Sequence, residues 1–125
     1  MTNRINTARK GTDIEREAIA KLKARGYLVH RTVRIRYRTK TGWGSHSNDV
    51  FGCIDLVAKR LDERTRWIQV TATGHIGRKK AELDTVPWAL PHDSVEIWRW
   101  VPAGRYFQIY RADHAYKLQR HDRVQ

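Results

Sequence analysis

Hydrophobic and polar residues alternate along two neighbouring stretches in the middle of the chain, residues 53–58 and 67–72, which flank a charged turn at 61–65. Both stretches have the length and the β-branched content of strands, so the pattern predicts an antiparallel hairpin. Because side chains alternate in direction along a strand, one face of this hairpin is apolar, with Ile54, Leu56 and Ala58 on the first arm. The opposite face carries Asp55, Gln69 and Thr71. A carboxylate in mid-strand needs a compensating partner, which we expect to be a cation.

An amphipathic helix is predicted from Thr12 to Gly26. Thr12 and Glu15 match a capping box, and a glycine commonly follows the last turn of a helix. Four apolar residues recur at helical spacing and form one stripe: Ile14, Ala18, Ile19 and Leu22. Glu15 falls within this stripe and therefore faces the sheet, where it is either part of the cap or a site carboxylate. The polar and basic residues 1–10 are predicted to form a flexible arm.

Residues 27–39 have the pattern of one long strand with Arg34, Arg36 and Arg38 along one face. This ladder of positive charge favours phosphate binding, although a solvated edge strand protected by charge has the same pattern. The Gly-, Ser- and Asn-rich residues 39–50 predict a mobile loop. Either it is an ordinary loop, or it becomes ordered on a bound nucleic-acid strand with Trp43 stacked on a base.

The second half of the chain predicts a helix over residues 76–86 and a hairpin of residues 94–101 and 106–111. Arg78, Lys79 and Lys80 fall in the first turn of the helix. Cations there oppose the helix dipole, which suggests that this end of the helix is directed at an anion. Trp98 shares a strand face with Trp100 and Glu96, and these residues belong either to the core or to a dimer surface.

The most informative feature of the composition is its positive charge. The 125 residues include 25 Lys and Arg against 13 Asp and Glu, which gives a formal net charge of +12. A single domain of this size and charge is predicted to bind a polyanion, nucleic acid first of all. The lone Cys53 excludes an intramolecular disulfide and a zinc site built from several cysteines. With no apolar stretch of signal-peptide or membrane-spanning length, we expect a cytoplasmic protein without a membrane partner.

Four short motifs occur in order along residues 11 to about 83. They are Gly11-x-x-x-Glu15-Arg16, Gly26-Tyr27-x-Val29-x-Arg31, Ile54-Asp55-Leu56-Val57-Ala58 and Ile68-Gln69-Val70. Together they resemble the PD-(D/E)xK nuclease superfamily, above all the archaeal-type Holliday junction resolvases and small phage proteins with Phe-Gly-x-Ile-Asp and Gln-Val-Thr. The resemblance implies an α/β fold for residues 1–125, with a small restriction-endonuclease-like core in which helices flank a mixed central β-sheet. It also implies Mg²⁺ or Mn²⁺ and hydrolysis of DNA phosphodiesters.

The same resemblance implies a role for each site residue. Asp55 corresponds to the principal metal ligand, and Glu15 to the helix carboxylate that supports the metal shell. Gln69 stands where the superfamily has Glu, and its amide oxygen can ligate a hard cation without adding charge. The Val70 carbonyl completes the protein ligands. Thr71 replaces the Lys that orients the nucleophile, and Lys79 or Lys80 is predicted to reach back in its place.

The function predicted from these observations is a metal-dependent DNA endonuclease that resolves four-way junctions, acting as a homodimer because the junction is symmetric. One alternative is a nuclease-fold module that only binds nucleic acid, and another is a basic protein associated with RNA or the ribosome. In those cases Asp55 is a structural acid paired with an Arg, and Gln69 and Thr71 form a polar pair at a strand edge. The predicted nucleic-acid contacts are Arg9, Lys10, Arg31, Arg34, Arg36, Arg38, Lys40, Trp43, Arg78, Lys79 and Lys80.

Overall fold

The computed structural model describes residues 7–32, 34–47, 50–72, 74–116 and 123–125, without the side chains of residues 7–12, 34–39 and 43–47. The first half contains helix α1 (Thr7–Ala24) and strands β1 (Leu28–Arg31), β2 (Arg34–Thr39), β3 (Gly42–Ser47), β4 (Leu56–Lys59) and β5 (Thr65–Thr71). The second half contains helix α2 (Ile76–Leu83), strands β6 (Asp93–Val101) and β7 (Tyr106–Arg111), a 3₁₀ helix (Ala112–His114) and strand β8 (Arg123–Val124).

Six of the strands form one mixed sheet in the order β1-β4-β5-β6-β7-β8, and β2 and β3 form a separate two-stranded ribbon. Neighbours in the larger sheet are antiparallel except for β5 and β6, which are parallel. Parallel neighbours need a crossover connection, and the segment containing α2 provides it. The structure therefore confirms the predicted α/β fold with a mixed sheet. It also confirms the two predicted hairpins, which are β4 with β5 and β6 with β7.

The sheet separates two hydrophobic clusters. On the face that we call the α1 face, the apolar stripe of α1 packs on alternating residues of the strands: Ile14, Ala18, Leu22, Leu56, Ala58, Ile68, Trp98 and Phe107. On the opposite face, the α2 face, the buried residues are Cys53, Ile54, Leu83, Val95, Ile97 and Tyr116. The prediction that Ile54 shares a face with Leu56 is wrong, because the chain bends at Asp55, between the Val50–Ile54 bridge and the start of β4.

Helix α1 begins five residues before the predicted N-cap. Residues 7–10 belong to the helix and not to an arm, while residues 1–6 lie outside the described chain. Thr12 and Glu15 are therefore interior helix positions, so the predicted capping box is wrong. Ala8, Arg9 and Lys10 are good helix formers, and they extend the helix through Gly11 and Thr12. Without the cap, the position of Glu15 has to be explained by what its side chain contacts.

The predicted long strand over residues 27–39 is two strands in two different sheets. β1 ends at Arg31, and one further backbone hydrogen bond in the same register, from the Thr32 N–H to the carbonyl oxygen of Asp55 at 3.0 Å, follows its last pair, Arg31 with Leu56. The next strand begins at Arg34 and has a different partner. β2 pairs with β3 across the two-residue turn at 40–41, so the predicted mobile loop is wrong for residues 42–47. Gly and Ser have a low intrinsic preference for strands, so the sequence of residues 42–47 does not look like a strand. The cross-strand hydrogen bonds of a tight hairpin can nevertheless stabilise a strand with this composition.

Glu96 is completely buried on the α1 face and pairs with Arg66 of the neighbouring strand. The Arg66 Nη2 and Nε atoms donate to its two carboxylate oxygens at 2.6 and 2.9 Å. Ser94 and Trp98 donate further hydrogen bonds at 2.6 and 2.8 Å. Trp98 is also fully buried, so of the two predicted alternatives, core and dimer surface, the structure places it in the core.

Helix α2 begins at the predicted residue, Ile76, and ends at Leu83, three residues earlier than predicted. Among the described residues, neither helix has the length and apolar character needed to cross a membrane.

Candidate active site

One end of the six-stranded sheet collects several of the polar residues singled out above. β1, β5 and β6 end there and β4 begins there, since Arg31 lies opposite Leu56, Leu56 opposite Ile68, and Thr71 opposite Arg99. Helix α2 starts at the same end, a few residues after β5. Residues far apart in the sequence therefore meet here, and we call this end the candidate site.

Asp55 is held at the candidate site by backbone hydrogen bonds. It follows a tight turn in which Phe51 and Gly52 have positive φ angles of 55° and 74°, a conformation that suits glycine. The Asp55 N–H donates to the carbonyl oxygen of Ile68 at 3.0 Å, and the Oδ2 atom accepts the Val70 N–H at 2.8 Å. This contact orients the half-buried carboxylate against β5 and partly compensates its charge.

Gln69 lies on the α2 face with only 5% of its surface exposed. Its Nε2 atom donates to the Glu82 Oε2 atom at 2.9 Å, which fixes the orientation of the amide. The other amide atom, Oε1, is buried and accepts no hydrogen bond within the described structure. An unsatisfied buried acceptor costs about 1–3 kcal/mol, so a bound ion or water is the usual explanation for one. A hard cation, which prefers oxygen ligands, would satisfy this atom.

Glu82 is a site residue that the sequence motifs did not identify. It lies on α2 next to the buried Leu83, and its carboxylate reaches the Gln69 amide of β5. The spacing of Ile76 and Leu83, seven residues apart, marks the side of α2 that faces the sheet. Glu82 lies about 100° around the helix from Leu83, so this spacing did not single it out, and only the contact with Gln69 reveals it. With Asp55 and Gln69 it gives the candidate site two carboxylates and one amide oxygen.

The two lysines predicted to replace the missing motif Lys occupy different surroundings. Lys79 is half-buried and lies one turn before Glu82, on the same side of α2. Lys80 is exposed and lines a cavity together with Asp84, Trp88 and Tyr116. Of the two, Lys79 is therefore the one on the side of α2 that faces the candidate site.

Glu15 lies at the same end of the sheet but on the α1 face. Its Oε2 atom accepts a hydrogen bond from Arg31 Nε at 3.0 Å, and Arg31 lies opposite Leu56, the residue that follows Asp55. The structure thus brings Glu15 towards Asp55, while Gln69 and Glu82 lie across the sheet from it. Within the described residues, no three or more His, Cys, Asp or Glu side chains are grouped for one metal ion.

The remaining predicted nucleic-acid contacts fall into two groups. Lys40, in the turn between β2 and β3, and Arg78, in the first turn of α2, are exposed, and Arg31 is engaged with Glu15. Six side chains lie outside the described part of the structure: Arg9, Lys10, Arg34, Arg36, Arg38 and Trp43.

Comparison of the chain with protein families, with curated proteins and with solved structures found no match. The class that the fold defines is accordingly an α/β protein with a mixed six-stranded sheet and a polar cluster at one end.

Proposed function

We propose that this protein is a metal-dependent DNA endonuclease that hydrolyses phosphodiesters, with four-way (Holliday) junctions as its preferred substrate and a homodimer as its active form. The observation that carries the proposal is the buried Oε1 atom of Gln69, which accepts no hydrogen bond from the described part of the chain. It lies beside Glu82 and one residue from the backbone N–H that orients Asp55. The net charge of +12 favours a nucleic acid as the substrate.

Mg²⁺ or Mn²⁺ fits the chemistry of these residues, because all the available ligand atoms are oxygens. Asp55 and Gln69 would hold the ion with the Val70 carbonyl. Glu82 contacts the Gln69 amide, and Glu15 lies at the same end of the sheet on the α1 face. When bound, the ion would act as a Lewis acid on a phosphate oxygen and would lower the pKa of a coordinated water.

The chain's own residues prepare this arrangement. The Val70 N–H orients the Asp55 carboxylate, and the Glu82 carboxylate accepts a hydrogen bond from the Gln69 amide nitrogen, which leaves the amide oxygen available to a ligand. In the hydrolysis, a water oxygen bonds to phosphorus while the bond from phosphorus to the leaving oxygen breaks. The water gives up a proton and the leaving oxygen gains one. The negative phosphate requires positive charge beside it, and Thr71 provides none.

The proposal is tested by incubating a labelled four-way junction, a matched duplex and a single strand with the protein in Mg²⁺, Mn²⁺ or EDTA. The variant is Asp55→Asn. Its matched control is Asp62→Asn in the exposed turn before β5, where the φ of 61° suits Asn. We expect metal-dependent cutting of the junction that falls by about 100-fold or more in Asp55→Asn and is unchanged in Asp62→Asn, since even residues that only support metal ligands contribute 10–100-fold.

Junction binding without cutting in any metal would overturn the nuclease assignment. Because Gln69 and Thr71 add no charge to the site, that result, together with the absence of Mn²⁺ binding, would identify a nucleic-acid-binding module on this fold. Preference for a structured RNA competitor over the junction would instead identify an RNA-binding protein.

A further inference from the structure

Two buried side-chain nitrogen or oxygen atoms in the described part of the chain make no hydrogen bond: Gln69 Oε1 and Arg99 Nε. They lie on neighbouring strands, since β5 and β6 pair with Gln69 opposite Ile97 and Thr71 opposite Arg99. Among the described residues, an acceptor without a donor and a donor without an acceptor therefore lie on adjacent strands, two residues apart in register. Each is costly when it remains unsatisfied, and a single ligand can satisfy both.

Arg99 lies on the α2 face, the same face as Gln69. The residues two and four positions before it on β6, Ile97 and Val95, are buried in the cluster of the α2 face, and alternation along the strand places Arg99 with them. Its guanidinium lies against Gly74, where an added methyl group would come within 3.9 Å of Nη2. The Arg99 side chain thus lies beside Thr71, at the segment that leads into α2.

Arg99 also differs from the other half-buried arginines. Within the described side chains, each of the other four forms an ion pair with a carboxylate: Arg31 with Glu15, Arg64 with Asp113, and Arg66 and Arg111 with Glu96. Arg99 instead donates a hydrogen bond from Nη1 to an uncharged acceptor, the amide oxygen Oε1 of Gln108, at 3.4 Å. A partly desolvated guanidinium without a counter-charge is suited to an anionic ligand.

We infer that Arg99 binds a phosphate group of the nucleic acid at the candidate site and supplies the positive charge that Thr71 lacks. This inference rests on the proposed function and names one further residue that contacts the substrate. The phosphate oxygen accepts the Arg99 Nε–H, and the cation that accompanies the phosphate satisfies Gln69 Oε1. The first turn of α2, which contains Arg78 and no acidic residue, adds positive potential nearby.

The inference is tested with Arg99→Gln and Arg99→Lys, with Arg16→Gln on the exposed side of α1 as the control that loses the same charge. The first measurement is the rise in melting temperature on adding pyrophosphate in EDTA at constant ionic strength. We expect a rise in the wild type and in Arg16→Gln, little rise in Arg99→Gln, and partial recovery in Arg99→Lys. A pyrophosphate response that is the same in Arg99→Gln as in the wild type overturns the inference.

The second measurement separates this inference from the proposed function. Mn²⁺ binding, measured by electron paramagnetic resonance without DNA, is expected to be lost in Asp55→Asn and retained in Arg99→Gln. Junction cleavage in Arg99→Gln is expected to fall about 10- to 100-fold, the contribution of one hydrogen bond to a charged group. A wild type that binds pyrophosphate through Arg99 but neither binds Mn²⁺ nor cuts DNA would refute the nuclease proposal alone. Cleavage that depends on Lys79 and not on Arg99 would refute the inference alone.

Discussion

Replacing Glu96 with Gln tests how far the fold depends on the buried ion pair between β5 and β6. The Glu96 carboxylate accepts four hydrogen bonds, two of them from Arg66, whose side chain is only 12% exposed. Gln keeps the shape of Glu but removes the charge. It also directs an NH₂ group at donors that previously had an acceptor.

The expected cost is large because Arg66 would stay buried without its counter-charge. Removing one partner of a buried ion pair costs about 3–5 kcal/mol. For a chain of this length, 1 kcal/mol corresponds to a change of about 4 °C in melting temperature, so we expect a decrease of about 12–20 °C. Glu17→Gln, on the exposed side of α1, is the control and should change little.

The dependence on pH gives a second measure of the same interaction. Burial by itself would raise the pKa of Glu96, but the hydrogen bonds and charge of Arg66, with the charge of Arg111 and the Ser94 hydroxyl, hold the pKa below its ordinary value of 4.5. Because the pKa is lower in the folded than in the unfolded protein, the stabilisation is complete above about pH 4.5. It is lost as the pH falls through the folded-state pKa.

Urea denaturation of the wild type and of Glu96→Gln between pH 3 and pH 7 measures both effects. We expect the difference in the free energy of unfolding to be greatest near neutral pH and to shrink in acid. A difference of less than about 1 kcal/mol at pH 7 would contradict the reasoning, because it would mean that the buried Arg66 loses little when its counter-charge is removed.

Two further predictions concern the candidate site. Gln69→Glu should bind Mn²⁺ about tenfold more tightly, because it adds a charged ligand, and should melt at a lower temperature in EDTA, because its carboxylate faces Glu82. Titration calorimetry with Mn²⁺ and thermal melts check this, and an unchanged Mn²⁺ affinity would count against a metal site at Gln69. Lys79→Ala should slow junction cleavage measurably, whereas Lys80→Ala should not, since only Lys79 lies on the side of α2 that carries Glu82. Equal rates for the two variants would show that this difference in position has no effect.

Local pattern was sufficient for the elements whose signal lies in consecutive residues. The central hairpin, the apolar stripe of α1 and the start of α2 were all predicted, because chain geometry alone sets the periods of strands and helices. Asp55 and Gln69 were identified for the same reason, as polar residues on one face of an otherwise apolar hairpin.

The elements that were predicted incorrectly are those decided by pairing partners. Residues 27–39 alternate without interruption, yet β1 ends at Arg31 and pairs with β4, whereas residues 34–39 form β2 and pair with β3. Residues 42–47 have a loop composition but pair with β2. In both places hydrogen bonds to another segment outweigh the local preference.

The sequence by itself determined the type of most elements, the basic character of the protein and two residues of the candidate site. Only the tertiary structure decided which other residues join them. Glu82 reaches Gln69 because α2 packs on the α2 face, and Arg99 lies beside Thr71 because β6 returns parallel to β5. The periodicity of one segment carries no information about the register of another, so this meeting of residues is fixed only when the whole sheet assembles.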